Sequence, residues 1–297
     1  MTKTIFRLCI LILVLENLAF AGIIRHDVSE SKYLELAAQK QFDCVGKIFK
    51  DTTFSGSCVL IGNKYVLTAA HIFVDVVTKP DTMKYNGAVV VVYQPVSESI
   101  CDAKSITVRF NDFIVHAKRF VLHPFYRDSS TKGNCDIAII ELEHDVNQII
   151  LPSLNIIGNE LHAKVIGAGY GASGIANKPE TVESLQKKIA GENTIDSIGG
   201  YTYQNQSAVL YCDFDHPTAN DCNKIGASQP LPLEYICSGG DSGGGLFRIL
   251  DNKPELIGIC SGSGTELDQF MKTGYYGQIM SWTRISIFKD WIENNTK

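Results

Sequence analysis

An all-β architecture of antiparallel strands, a sandwich or a barrel, is what this 297-residue sequence predicts. Two observations carry the prediction. Short alternating or β-branched runs recur along the chain with turn residues between them, and a clear helical apolar stripe occurs only near the C-terminus. Composition agrees, since 25 Gly against 9 Pro, with 14 Phe and 12 Tyr, suits a compact chain with many tight turns. At 45% hydrophobic and 20% charged, the chain has material for one large or two modest cores, which excludes intrinsic disorder as its main state. The formal net charge of -5 leaves nothing like a basic stripe to balance phosphates, so no nucleic-acid partner is expected.

Residues 1–21 read as a secretory signal peptide. Lys3 and Arg7 give a positive start, residues 8–15 are an unbroken apolar run, and Ala19-Phe20-Ala21 is a cleavage signature before Gly22. Glu16 breaks the run short of the roughly 20 residues a membrane span needs. Cys9 lies inside it rather than after the cleavage site, which argues against lipid attachment. The expected location is secreted or periplasmic, with no membrane association after signal removal. The remaining 276 residues hold eight cysteines: Cys44, Cys58, Cys101, Cys135, Cys212, Cys222, Cys237 and Cys260. An even number in an oxidising compartment favours disulfides. Zinc is the weaker explanation, because there is no C-x-x-C pair and no H-E-x-x-H run; neither a metal nor a cofactor is expected.

A weak helical period covers 33–38. Strand-like runs follow at 44–49, 57–61, 65–67, 88–93, 106–110, 137–142, 164–166, 208–211 and 256–260, with turns at Gly62-Asn63, Asn86-Gly87 and the glycines around Tyr170. Leu151-Pro152-Ser153 is the best connection between two halves of similar length. The final element is a helix with Ile285, Phe288, Trp291 and Ile292 on one face.

Three local patterns carry chemistry. Gly239-Gly240-Asp241-Ser242-Gly243-Gly244-Gly245 sets a serine among glycines that let the backbone turn tightly and present N–H groups, which suits a nucleophile beside an oxyanion hole. A phosphate-cradling loop fits poorly, since no G-K-[ST] and no helical period follow. The segment also satisfies G-x-S-x-G, but that elbow needs its histidine after the serine, and all seven His of this chain precede Ser242. His71 ends Thr68-Ala69-Ala70-His71 after the apolar run 65–67. Asp136 opens the apolar run of Asn134-Cys135-Asp136-Ile137-Ala138-Ile139-Ile140. Taken singly, a histidine beside a strand is usually structural and an acid before a strand is usually a turn residue.

Together, Thr68-Ala69-Ala70-His71, Asp136-Ile137-Ala138 and Gly240-Asp241-Ser242-Gly243-Gly244 resemble, in order and rough spacing, the chymotrypsin-like (trypsin-fold) serine endopeptidases. The resemblance runs over about residues 40–296. Residues 57–61 look like that family's strand before the histidine, His123-Pro124-Phe125-Tyr126 like its segment before the acid, and Leu151-Pro152 like its inter-barrel link. Gly169-Tyr170-Gly171 resembles its Gly-Trp-Gly turn, Gly258-Ile259-Cys260-Ser261 its substrate-aligning strand, and 283–292 its closing helix. The resemblance implies two antiparallel β-barrels of chymotrypsin/trypsin type with a C-terminal helix. The first barrel, in 22–150 with the N-terminal segment, would carry His71 and Asp136; the second, in 151–297, would carry Ser242. It implies His71 as general base, Asp136 as the group that holds its tautomer, and the N–H groups of Gly240 and Ser242 as the oxyanion hole. Ser261 would hydrogen-bond near Asp136. Polypeptide substrates and protein inhibitors are the implied partners.

Departures from the family pattern concern the substrate pocket, activation and disulfides. Counting back from Cys237 puts Tyr235 at the pocket base, and counting back from Ser242 puts Ile236 there, with one residue more than usual between Cys237 and Ser242. Neither is an acid; Glu234 would enter only by a different loop path, as a costly buried carboxylate. Ser261-Gly262-Ser263 replaces the usual Ser-Trp-Gly wall, and Met280 stands where a small residue normally leaves room. The expected preference is for small or medium apolar side chains. Asp241 would receive the activating N-terminal ammonium, and Gly22-Ile23-Ile24-Arg25-His26 replaces the usual Ile-Val-Gly-Gly; trimming to Ile23 or Ile24 is one route, another activation route being equally open. Ile72 follows His71 where many relatives have a cysteine. The bridges expected are Cys44 with Cys58, Cys101 with Cys135, Cys212 with Cys222 and Cys237 with Cys260. The leading expectation is a secreted serine endopeptidase, its rival a catalytically silent binding protein on the same fold, and an esterase stands third because of the histidine order. Asn205-Gln206-Ser207 and Asn294-Asn295-Thr296 are glycosylation acceptors in a eukaryotic source.

Overall fold

The computed structural model describes residues 22–85, 88–128, 130, 134–183, 186–263 and 274–297. The expected signal peptide, residues 1–21, and the turn expected at Asn86-Gly87 lie outside the described residues. In chain order the strands are β1 (Ile23–Ile24), β2 (Val45–Lys50), β3 (Thr53–Gly62), β4 (Tyr65–Thr68), β5 (Val74–Tyr85), β6 (Ala88–Ile100), β7 (Ile106–Phe110), β8 (Phe113–Leu122), β9 (Ala138–Leu142) and β10 (Ser153–Leu154). They continue as β11 (Lys164–Gly169), β12 (Ser173–Ile175), β13 (Lys178–Glu183), β14 (Ile189–Thr194), β15 (Ser197–Tyr203), β16 (Gln206–Asp213), β17 (Tyr235–Ile236), β18 (Gly245–Leu250), β19 (Lys253–Ser263) and β20 (Ile279–Arg284). The α-helices are α1 (Glu30–Ala37), α2 (Pro124–Arg127) and α3 (Lys289–Asn295).

A closed barrel forms in the order β2-β3-β4-β9-β8-β7. β9 shows why the apolar run at 137–142 must be central: every residue of it is buried, and it pairs with β4 on one edge and β8 on the other. The second half is a sheet in the order β14-β11-β18-β19-β20-β16-β15, with β10 in parallel against β19. Its two edges, β14 and β15, are consecutive stretches of chain joined at Ile195 and Asp196, and Asp196 N–H already donates to Tyr211 O of β16. One bent strand thus pairs with β11 along its first half and β16 along its second, which curls the sheet back on itself. The expected all-β fold with a closing helix is what is observed. That last helix begins one turn tighter than its sequence period suggests, as a 3₁₀ turn over Ile285–Phe288 before α3.

Residues Phe73–Cys101 form a unit of their own, a long two-stranded hairpin of β5 and β6 closed at its base by Cys101 N–H to Phe73 O. Val76, Val77, Val89 and Val96 are exposed on it. In the other unit, β1 runs between β12 and β17, parallel to the first and antiparallel to the second, with Ile23 opposite both Gly174 and Ile236. Ile23 and Ile24 are therefore interior strand, and Ile23 has no exposed surface.

The C-terminal turns are seated on His123, which caps α2 by accepting from Phe125 N–H. Its ring meets Phe125, Tyr203 and Phe288 edge-on and Trp291 at a tilt, and burial pulls its pKa down to about 4. The expected bridges are corrected in part. Cys44, Cys58, Cys135, Cys212, Cys222, Cys237 and Cys260 carry free thiols. The hairpin register puts Cys58 opposite Gly46, two residues past Cys44. Cys135 meets the Tyr201 hydroxyl.

Candidate active site

The register of the first barrel brings the histidine and the acid together. Thr68 at the end of β4 lies opposite Ala138 at the start of β9, so His71, three residues beyond one strand, meets Asp136, two residues before the other. Asp136 Oδ1 accepts the His71 backbone N–H at 2.9 Å, and Oδ2 takes His71 Nδ1 at 2.8 Å and the Ser261 hydroxyl at 2.6 Å. Thr283 Oγ1 donates to the Asp136 carbonyl at 2.9 Å. Burial alone would push the Asp136 carboxyl up, but the charge of His71 and these hydrogen bonds more than offset it and hold the pKa below the usual carboxylate range. An ionised carboxylate only accepts, so Nδ1 carries the proton and Nε2 is left as the free base. Burial lowers the His71 pKa, and the Asp136 charge and hydrogen bond outweigh it, leaving a net rise.

A tight backbone aims the acid. Cys135 has φ 55, and Ile137 N–H donates to Cys135 O across Asp136 at 2.7 Å. A non-glycine residue in that region is strained.

The loop that carries Ser242 is clamped on both sides. Ser57 N–H of β3 donates to Ser242 O at 2.8 Å, and Gly243 N–H donates to Cys260 O of β19 at 2.8 Å. Gly243 has φ 83, and a Cβ there would fall 2.0 Å from Thr68 Oγ1, so only glycine passes. Asp241 N–H reaches Ser238 O and Gly244 N–H reaches Asp241 O. The N–H groups of Gly240 and Ser242, by contrast, have no hydrogen-bond acceptor among the described residues. Among those residues too, both hydrogen bonds of His71 go to Asp136, and none joins its ring to the half-buried Ser242. Catalytic contacts of this kind often close only around a substrate.

Asp241 is buried, and burial pushes its pKa up to about 7 against the pull of the backbone N–H groups of Ser238, Gly171 and Gly22. The residue beside Asp241 is thus Gly22 and not Ile23 or Ile24, which are held in β1. Trimming to either isoleucine would draw the terminus away from the acid by about 3.3 Å per strand residue.

Most of the expected pocket is elsewhere. Tyr235, Ile236 and Met280 are fully buried in the apolar cluster with Ile23, Leu210 and Trp282, so none offers surface to a substrate. The reason is local: Tyr235 and Ile236 form β17 against β1, and the Tyr235 ring lies where Cβ atoms on Gly167 and Gly191 would be. Met280 lies opposite Cys212 of β16 and Ser263 of β19. The Glu234 carboxyl turns to the backbone N–H groups of Asp215 and Leu231 at 2.9 and 2.5 Å, and burial raises its pKa to about 8, so it closes its own loop. Ser261 and Gly262 keep partial exposure, and a Cβ on Gly262 would meet nothing within 4 Å. Sequence reasoning read Thr283 and Ser57 only as parts of a closing segment and a strand and missed their hydrogen bonds, because those reach groups far away in sequence.

Comparison with known proteins follows the same lines. A family model described as Trypsin matches residues 35–292. The CLIP domain-containing serine protease B4 of Anopheles gambiae is 27% identical over 250 residues, 80% of this chain and 60% of that protein. The match thus spans only about 60% of the length of that relative. The venom peptide isomerase heavy chain of Agelenopsis aperta is 28% identical over 263 residues, 83% of this chain and 90% of its own. Among solved structures, neuropsin, a serine protease expressed in the limbic system of mouse brain, superposes with a TM-score of 0.55 at 18% identity over 92% of this chain and 99% of its own, a likeness of fold.

Proposed function

The chain belongs to the trypsin family, and from that premise we propose that it is an exported serine endopeptidase. His71 Nε2 takes the proton of the Ser242 hydroxyl as Oγ attacks a peptide carbonyl. The N–H groups of Gly240 and Ser242 receive the developing oxyanion, and the imidazolium returns the proton to the leaving amine. Water then hydrolyses the acyl-enzyme by the same steps. The observation that carries this reading is the binding of His71 Nδ1 by the buried Asp136 carboxylate, which leaves Nε2 free to accept. A fluorophosphonate probe tests it: labelling of the processed protein that disappears in Ser242→Ala supports the enzyme. No labelling of the processed protein would select the second reading, a silent binding protein, which draws on the missing hydrogen bond between Ser242 and His71.

Polypeptides are the substrates proposed, with protein inhibitors as further partners. Among the described residues the one acid near the counted positions, Glu234, is turned to its own loop, and cleavage after small or medium apolar residues is expected. Strong cleavage after Arg in a peptide library would overturn this. The kcat/KM profile should fall on the acid side as pH drops through the His71 pKa, because a proton on Nε2 blocks the base. Since Asp136 raises that pKa, the midpoint is expected above the ordinary histidine value of about 6.5.

Leader removal at Gly22 places a free amine beside Asp241, where an ammonium would let that carboxyl ionise. N-terminal sequencing of the active protein is expected to begin at Gly22; a start at Ile24 would contradict it. Cys237 and Cys260, whose thiols already touch, are the pair proposed to bridge on export.

A further inference from the structure

Ser57 has no exposed surface, and all its polar groups are used. Its carbonyl accepts the Thr68 hydroxyl at 2.8 Å, which ties it to the strand that leads to His71. Its N–H holds Ser242 O at 2.8 Å. Its hydroxyl donates to Gly240 O at 2.9 Å and accepts the Tyr170 N–H at 2.9 Å. One residue of the first barrel therefore grips the carbonyls on both sides of Asp241 and is itself steadied from the second half of the chain.

The consequence follows from peptide planarity. Fixing Gly240 O fixes the plane of the Gly240–Asp241 peptide, and fixing Ser242 O fixes that of Ser242–Gly243. The Ser242 N–H belongs to the peptide between them. Gly240, at φ 90, has no Cβ to resist rotation, so an outside hold on its carbonyl replaces the stiffness a side chain would give. We propose that Ser57 is a positioning residue for the oxyanion hole, its hydroxyl locking the loop so that the Gly240 and Ser242 N–H groups stay available to the substrate carbonyl. This rests on the endopeptidase reading above.

Ser57→Ala keeps the backbone bond to Ser242 O and removes a small polar group without adding volume, so the protein should fold. It leaves Gly240 O and Tyr170 N–H unpaired. Expected are a kcat about tenfold lower, KM within about twofold, and affinity for a peptide boronic acid, which becomes tetrahedral on Ser242, reduced in step with kcat. A merely structural role would lower the melting temperature and leave kcat per folded molecule and boronate affinity unchanged; that result would overturn the proposal. Amide hydrogen exchange across residues 239–243 gives an arm independent of turnover. Faster exchange in Ser57→Ala supports the lock even if the wild type hydrolyses nothing, in which case only the endopeptidase reading fails. Unchanged exchange in a variant of normal stability refutes the lock whatever the wild type does.

Discussion

Asp136→Asn should lower kcat about 10⁴-fold while the protein stays folded. The carboxylate accepts from the backbone N–H of His71 on one oxygen and from its Nδ1 on the other. A carboxamide has one oxygen and one NH₂. With its oxygen on the backbone N–H, it must offer NH₂ to Nδ1, which selects the tautomer with the proton on Nε2. The base is then occupied by the hydrogen it should remove from Ser242. The reversed amide would set NH₂ against the backbone N–H, a donor facing a donor. Ser261 Oγ, now donating to Oδ2, would lose its acceptor in the first arrangement. Turnover of a peptide substrate by wild type and variant, with near-ultraviolet circular dichroism as the folding control, checks this. A loss of less than about tenfold would mean that Asp136 does not set the tautomer.

The largest stability effect is expected at Arg284, the last residue of β20. Its guanidinium makes two hydrogen bonds to the buried Glu160 carboxylate, Nε to Oε1 at 3.1 Å and Nη2 to Oε2 at 3.0 Å. Two of its other hydrogens serve Ser207 O and Gly158 O, and Ser286 Oγ donates to Glu160 at 2.6 Å. Glu160 has no exposed surface and Arg284 is 7% exposed, so neither charge has water to fall back on. Arg284→Met should cost about 3–5 kcal/mol, the typical penalty for stranding one charge of a buried pair. Adding Glu160→Gln should recover a good part of that, because the stranded charge goes with it. Urea denaturation of the two variants measures both, and equal instability of single and double variants would contradict the account.

Local motifs marked His71 and Asp136 because each sits near the end of a strand whose apolar run is visible in the sequence, β4 and β9; Ser242 was marked by the glycines around it, and β18, which follows it, was not among the runs read. Elements without such a run were harder to read. β5 contains Lys79-Pro80-Asp81 and is a strand because β6 offers it a full register of partners. β14 contains Gly191-Glu192-Asn193, which reads as a turn, yet Gly191 is what leaves room for the Tyr235 ring. The pocket failed for a related reason. Counting residues back through a loop finds a position but not the direction of its side chain, and direction alternates with every residue of a strand. Ser57, Arg284 and Glu160 act on groups far away in sequence, and no local spacing announces them.

The short strand β1 also constrains the order in which the molecule can assemble. Ile23 and Ile24, the earliest described strand residues, find their partners only at Gly174 and Ile175 and at Tyr235 and Ile236. Contacts that distant are slow to form, because the intervening chain must be ordered before they gain anything. The beginning of the chain should therefore be the last part to dock. Refolding followed by far-ultraviolet circular dichroism should finish before activity returns, the lag being the time β1 takes to enter its slot and bring Gly22 to Asp241.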